Sequence, residues 1–78
     1  MSYPIAMIIK RRPNRDNPEF EIATIRCPLC KQTHEHGLNP KNINPTTKTA
    51  GHRVGHCCDP FASKNREAVE KGYILRVQ

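Results

Sequence analysis

The chain contains no tryptophan, and its aromatic residues are two Tyr and two Phe, only 5% of 78 positions. That scarcity argues against an RNP-type RNA-binding sheet, and no basic recognition helix takes its place. Apolar residues of every kind amount to 36%, so one small hydrophobic core is expected to supply only roughly 3–5 kcal/mol. An additional staple, either a metal or a disulfide pair, is therefore anticipated. No apolar run approaches the ~20 residues needed to span a bilayer. The start, MSYPIAMIIKRR, places its apolar residues before its positive ones, the reverse of a secretory signal. A cytoplasmic protein with reduced thiols is the expectation, and four cysteines in that setting read as metal ligands sooner than as disulfides. Asn44-Pro45-Thr46 is not a glycosylation acceptor, because proline occupies its middle position.

Acidic residues are the other minority. Seven Asp and Glu stand against thirteen Lys and Arg, for a net charge of +6. This balance favours encounter with polyanions, although solubility alone also accounts for it. The basic residues are scattered except for Lys10-Arg11-Arg12, with Arg15 close behind. These four and Arg53 are the candidate phosphate contacts. The competing readings are a solvated strand end for Lys10 to Arg12, and for Arg53 an ion pair with Glu35 or Asp59.

The length allows a single domain over residues 1–78. Residues 3–12 alternate as a strand, and the cluster Pro13-Asn14-Arg15-Asp16-Asn17-Pro18 breaks it. Residues 19–26 alternate again, with Phe20, Ile22 and Thr24 on one side and Glu19, Glu21 and Ala23 on the other. Together these predict an antiparallel hairpin whose second strand runs into Cys27. His34 to His36 extend a further short strand, residues 37–50 read as a loop, and Gly51 to Cys57 form a short strand or irregular return. Asp59 or Ser63 is positioned to cap a helix with Pro60 in its first turn, Glu67 to Lys71 is a supportive i,i+4 pair, and Gly72 ends the helix. Tyr73 to Val77 then make a last strand. The fold expected is a small zinc-stabilised α+β domain, zinc-ribbon or knuckle-like, with a mainly antiparallel sheet and one C-terminal helix.

Cys27-Pro28-Leu29-Cys30 has the spacing of a zinc knuckle, in which two intervening residues let both thiolates converge on one ion. A redox dithiol shares that spacing, but it expects a helix starting at the first Cys, whereas here a strand precedes and Pro28 follows. The second half of the site lies in Gly51-His52-Arg53-Val54-Gly55-His56-Cys57-Cys58. Cys57 and Cys58 are neighbours whose side chains diverge, so one of them is the ligand. His34 and His36 share a strand face and either is placed to contribute. The favoured set is Cys27, Cys30 and Cys57 with one histidine drawn from His34, His36 and His56, holding Zn²⁺. The surplus histidines are otherwise polar surface groups or groups beside the site, Cys58 is a small apolar residue, and Tyr73 and Phe61 are core.

The pattern C-P-L-C, then H-E-H-G, then G-H-R-V-G-H-C, then G-Y-I-L, resembles a group of small zinc-finger-like proteins of actinobacteria and their phages. The resemblance covers about residues 27–75 and implies that Cys27, Cys30, His34, His36, Arg53, His56 and Cys57 matter. It ranks His56 above His52, while Cys58 departs from the pattern. It brings no activity with it.

An enzyme would need an open zinc position, a general base and a walled cleft, which 78 residues hardly provide. The expectation is a non-catalytic structural-zinc module that contacts nucleic acid. The second reading is a phage- or mobile-element-encoded accessory protein that binds and modulates a host protein.

Overall fold

A computed structural model describes residues 3–78; Met1 and Ser2, which open the apolar start, lie outside the described residues. The chain runs through strand β1 (Ile5–Pro13), β2 (Glu21–Arg26), β3 (Thr33–Leu38), a 3-10 turn (Pro40–Asn42) and β4 (Thr49–Arg53). Helices α1 (Phe61–Lys64) and α2 (Arg66–Lys71) and strand β5 (Tyr73–Val77) follow. The five strands form one sheet in the order β3-β2-β1-β5-β4. All neighbours are antiparallel except β1 and β5, which run parallel at its centre. No helix among the described residues is long and apolar enough to cross a membrane.

Alternation along the strands decides which face is buried. Ala6 and Ile8 on β1, Ala23 and Ile25 on β2, His36 and Leu38 on β3, Ala50 on β4, and Tyr73 and Leu75 on β5 all point inward. On β2 the buried parity is that of Ala23, so Ile22 and Thr24 face the open side of the sheet. A bulge between Ile8 and Lys10 interrupts the β1–β2 register. Ile8 pairs with Ile25 and is buried, whereas Ile9 is the inserted residue and 46% exposed. Beyond the bulge Lys10 and Arg12 oppose Thr24 and Ile22, on the open face.

The sheet is curled. Arg53, at the end of one edge strand, donates from Nη2 to the carbonyl of Gly37 on the other edge strand at 3.1 Å and from Nη1 to the His52 carbonyl at 2.8 Å. The stretch read as loop 37–50 is more ordered than expected. The Asn39 side chain caps the 3-10 turn by accepting from Lys41 N–H at 3.0 Å, and Asn44 Oδ1 accepts from Thr46 and Thr47 N–H.

The helical segment is two short helices rather than one, broken at Asn65 (φ −129°, ψ 38°), whose side chain bonds back to the Phe61 carbonyl. Asp59 Oδ1 accepts from both the N–H and the hydroxyl of Ser63, at 3.0 and 2.6 Å. Glu67 and Lys71 do not pair; the ion pairs formed among the described residues are Arg11–Glu21 and Arg12–Glu35. Gly72 ends α2 with φ 75° and ψ −149°, a conformation essentially reserved for glycine. Neither helix contains a buried residue. Their attachment therefore depends on half-buried side chains, on the Gly55 N–H to Val69 carbonyl bond of 2.9 Å, and on Cys57 in the segment that leads into them.

Candidate metal centre

Strand β2 delivers Cys27 to the sheet end, and the chain reverses through Pro28-Leu29-Cys30 to start β3. The turn closes by Cys27 N–H to the Gln32 carbonyl at 2.8 Å and Lys31 N–H to the Cys27 carbonyl at 3.1 Å, with Lys31 at φ 69°. Within it the N–H groups of Leu29 and Cys30 point at Cys27 Sγ, at 3.4 and 3.5 Å. Such amide donors stabilise a thiolate and orient it for a metal.

His34 and Cys57 complete the cluster. The ligand atoms of Cys27, Cys30, His34 and Cys57 all lie within 4.8 Å of one another. Cys27 Sγ is 3.6 Å from Cys57 Sγ, and Cys30 Sγ is 3.2 Å from His34 Nε2. A tetrahedral zinc with bonds near 2.3 Å to sulfur sets edges of about 3.8 Å between sulfurs, and the Cys27–Cys57 separation of 3.6 Å is close to that edge. Cys57 is half-buried against the core, while Cys58 is exposed.

The electrostatics of the cluster call for a cation. Burial, followed by the neighbouring Cys30 and Cys27 thiols, pushes the Cys57 thiol up to about 12. Burial also opposes ionisation of Cys30, but the Gln32 backbone and the Cys57 and Cys27 thiols outweigh it and lower its pKa. Cys57 therefore does not ionise unaided near neutral pH; a divalent cation reverses that balance. Burial, then the charge of His56, lowers the pKa of His34, which keeps its ring neutral as a ligand must be.

The other two candidate histidines lie outside the cluster. The β2–β3 ladder sets His34 opposite Ile25 and His36 opposite Ala23. His36 thus sits two residues further from the knuckle, about 7 Å along the strand. Its Nε2 instead shares a 2.6 Å hydrogen bond with the hydroxyl of Tyr73, both residues being buried. Burial first, then the charges of His56, Arg53 and His34, lower the pKa of His36 to about 4. Burial raises Tyr73 to about 12, so the pair is neutral. His56 precedes Cys57 and its side chain turns the other way, stacking on the His36 ring with centroids 4.2 Å apart. His52 bonds to the Lys71 carbonyl and lies against Tyr3.

Of the candidate phosphate contacts, Arg11 is engaged by Glu21 at 2.6 Å, Arg12 by Glu35 at 3.2 Å, and Arg53 by the two carbonyls it bridges. Lys10 and Arg15 are exposed. Two cations missed by sequence reasoning join Lys10 on the open face. Arg76 pairs in register with Met7, and Arg26 flanks Met7 on the other side, since Ile8 pairs with Ile25. Their signal was parity: Arg26 follows buried Ile25, and Arg76 follows buried Leu75.

A groove of about 730 Å³ opens beside the cluster, with Cys30, Thr33 and His34 on one wall and Pro60, Phe61 and Lys64 on the other. No family model, curated protein or solved structure matches the chain.

Proposed function

We propose that this protein is a small module built on a structural zinc ion and that its open sheet face contacts nucleic acid. The observation that carries the metal half is the convergence of Cys27, Cys30, His34 and Cys57 within 4.8 Å. In this reading four protein ligands leave no position for a substrate, so the centre organises the fold and does no chemistry. The ion ties Cys57, and through it the segment leading to α1 and α2, to the sheet end formed by β2 and β3.

Charge distribution supports the nucleic-acid half. Arg26 and Arg76 flank Met7 across the open face, Lys10 lies further along it, and none of the three has an acidic partner among the described residues. With few aromatics, contact is to phosphate rather than by base stacking.

The test is fluorescence anisotropy of a labelled 20-base oligonucleotide, single- and double-stranded, between 50 and 200 mM salt. Affinity should fall steeply over that range, and Arg26→Gln and Arg76→Gln should each lower the log–log salt slope by about 1. An affinity that does not change with salt rules out the nucleic-acid half and leaves the metal half standing.

A further inference from the structure

Strand β3 lies at one edge of the sheet, where no strand pairs with its outer side among the described residues, and its backbone groups can be assigned. The bond from Cys27 N–H to the Gln32 carbonyl makes those two residues a hydrogen-bonded pair of the β2–β3 ladder. In an antiparallel ladder such pairs alternate with pairs whose N–H and C=O groups point away from the partner strand. Stepping along the register, Ile25–His34 and Ala23–His36 are bonded pairs. Thr33, Glu35 and Gly37 therefore direct their N–H and C=O groups outward. Arg53 confirms this independently, because it reaches the Gly37 carbonyl from the far side. Thr33 and Glu35 are exposed and have no backbone partner beyond the ladder among the described residues.

The groove beside the metal cluster runs along this same end of β3. Its near wall carries Thr33 and His34, and its far wall offers the apolar surfaces of Pro60 and Phe61 beside the ammonium of Lys64; Asp59 also lines it, with its Oδ1 accepting from the N–H and hydroxyl of Ser63. An exposed, straight edge is normally blunted by a charge, a proline or a bulge that disturbs pairing. Glu35 is the one charged side chain of β3 itself, and it is turned onto Arg12, while Arg53 from β4 covers the Gly37 carbonyl and leaves Thr33 and Glu35 uncovered.

We propose that β3 is a docking edge that takes an extended segment of a partner protein as a sixth strand. Backbone bonds to Thr33 and Glu35 provide the affinity. Alternate side chains enter the groove, an apolar one on Phe61 and an acidic one at Lys64. A second copy of the chain is the less fitting occupant, since each carries +6 and would bring another Lys64 to the same edge. The proposal rests on the metal reading, because Cys30 and His34 hold one wall of the groove and Cys57 anchors the segment that forms the other.

The probe is a random decapeptide display library panned on the zinc-loaded chain, with metal content measured on the same sample. Enriched peptides are then synthesised with single backbone N-methyl groups at each position in turn. The expected result is an acidic and apolar consensus, with affinity falling roughly tenfold for N-methylation at alternate positions and little at those between. Lys64→Glu should weaken the acidic peptides at least about fivefold without loss of zinc. A zinc-loaded chain that enriches no peptide, enriches peptides with no alternation, or dimerises through β3 in sedimentation equilibrium overturns the proposal. A folded chain with no bound metal refutes the metal reading instead, whatever the peptides do.

Discussion

Replacing Tyr73 by Phe removes one oxygen and tests the buried polar pair that packs beside the metal cluster. The ring stays, so packing is nearly unchanged. His36, 5% exposed, loses the one side-chain partner its Nε2 has among the described residues, which stood at 2.6 Å. Leaving a buried polar nitrogen unsatisfied costs about 1–3 kcal/mol. For a domain of this length each kcal/mol shifts the melting temperature by roughly 4–8 °C, so Tyr73→Phe should lower it by about 5–20 °C in the zinc-loaded protein. The assay is circular dichroism melting with zinc content measured before and after. The double variant His36→Leu/Tyr73→Phe, which removes both partners, should recover much of the loss. A single variant that melts within about 2 °C of the parent, at roughly 0.5 kcal/mol or less, would falsify the assignment of this pair as a buried structural hydrogen bond.

Three further outcomes follow from the geometry. Cys57→Ser should lose zinc and the order of α1 and α2, seen as loss of amide exchange protection over residues 61–71, whereas Cys58→Ser should keep both, since only Cys57 has its sulfur in the cluster. Gly72→Ala places a Cβ against the Arg53 carbonyl in a conformation other residues avoid; strain alone costs about 1–3 kcal/mol, so the urea midpoint should fall by at least that equivalent. His36 titrates normally when unfolded but only near 4 when folded. The unfolded chain thus binds the extra proton, and stability should decline as pH falls from the ordinary histidine range towards 4. The His36→Leu/Tyr73→Phe variant, compared at equal zinc content, should lack that portion of the decline.

Much of the site was legible in the chain, and the gaps have physical reasons. The Cys27–Cys30 pair follows from its spacing and the strand before it; the divergence of adjacent side chains says that one of Cys57 and Cys58 joins it, and the fold places Cys57 there. The choice among His34, His36 and His56 did not follow, because His34 and His36 share one parity and only the register of β2 against β3 decides which reaches the knuckle. The hairpin was readable from alternation, yet the buried side of β2 was not, since Ile22 and Ile25 are equally apolar and lie on opposite faces. The parallel β1–β5 pairing joins the two ends of the chain and leaves no local trace. The helix was expected as one piece; it breaks at Asn65, whose backbone leaves helical geometry at φ −129° and ψ 38°. The phosphate candidates were chosen by clustering in sequence, but clustering does not report which guanidinium already has a carboxylate or carbonyl, as Arg11, Arg12 and Arg53 do.

The most direct test is elemental analysis of the purified chain joined to a melting scan with and without a strong chelator. One zinc per chain and collapse of α1, α2 and the Cys57 segment on chelation is the predicted result, because structural zinc contributes about 10–16 kcal/mol in comparable small sites, more than the core of this domain supplies. A metal-free chain that melts at the same temperature with and without chelator would contradict the account.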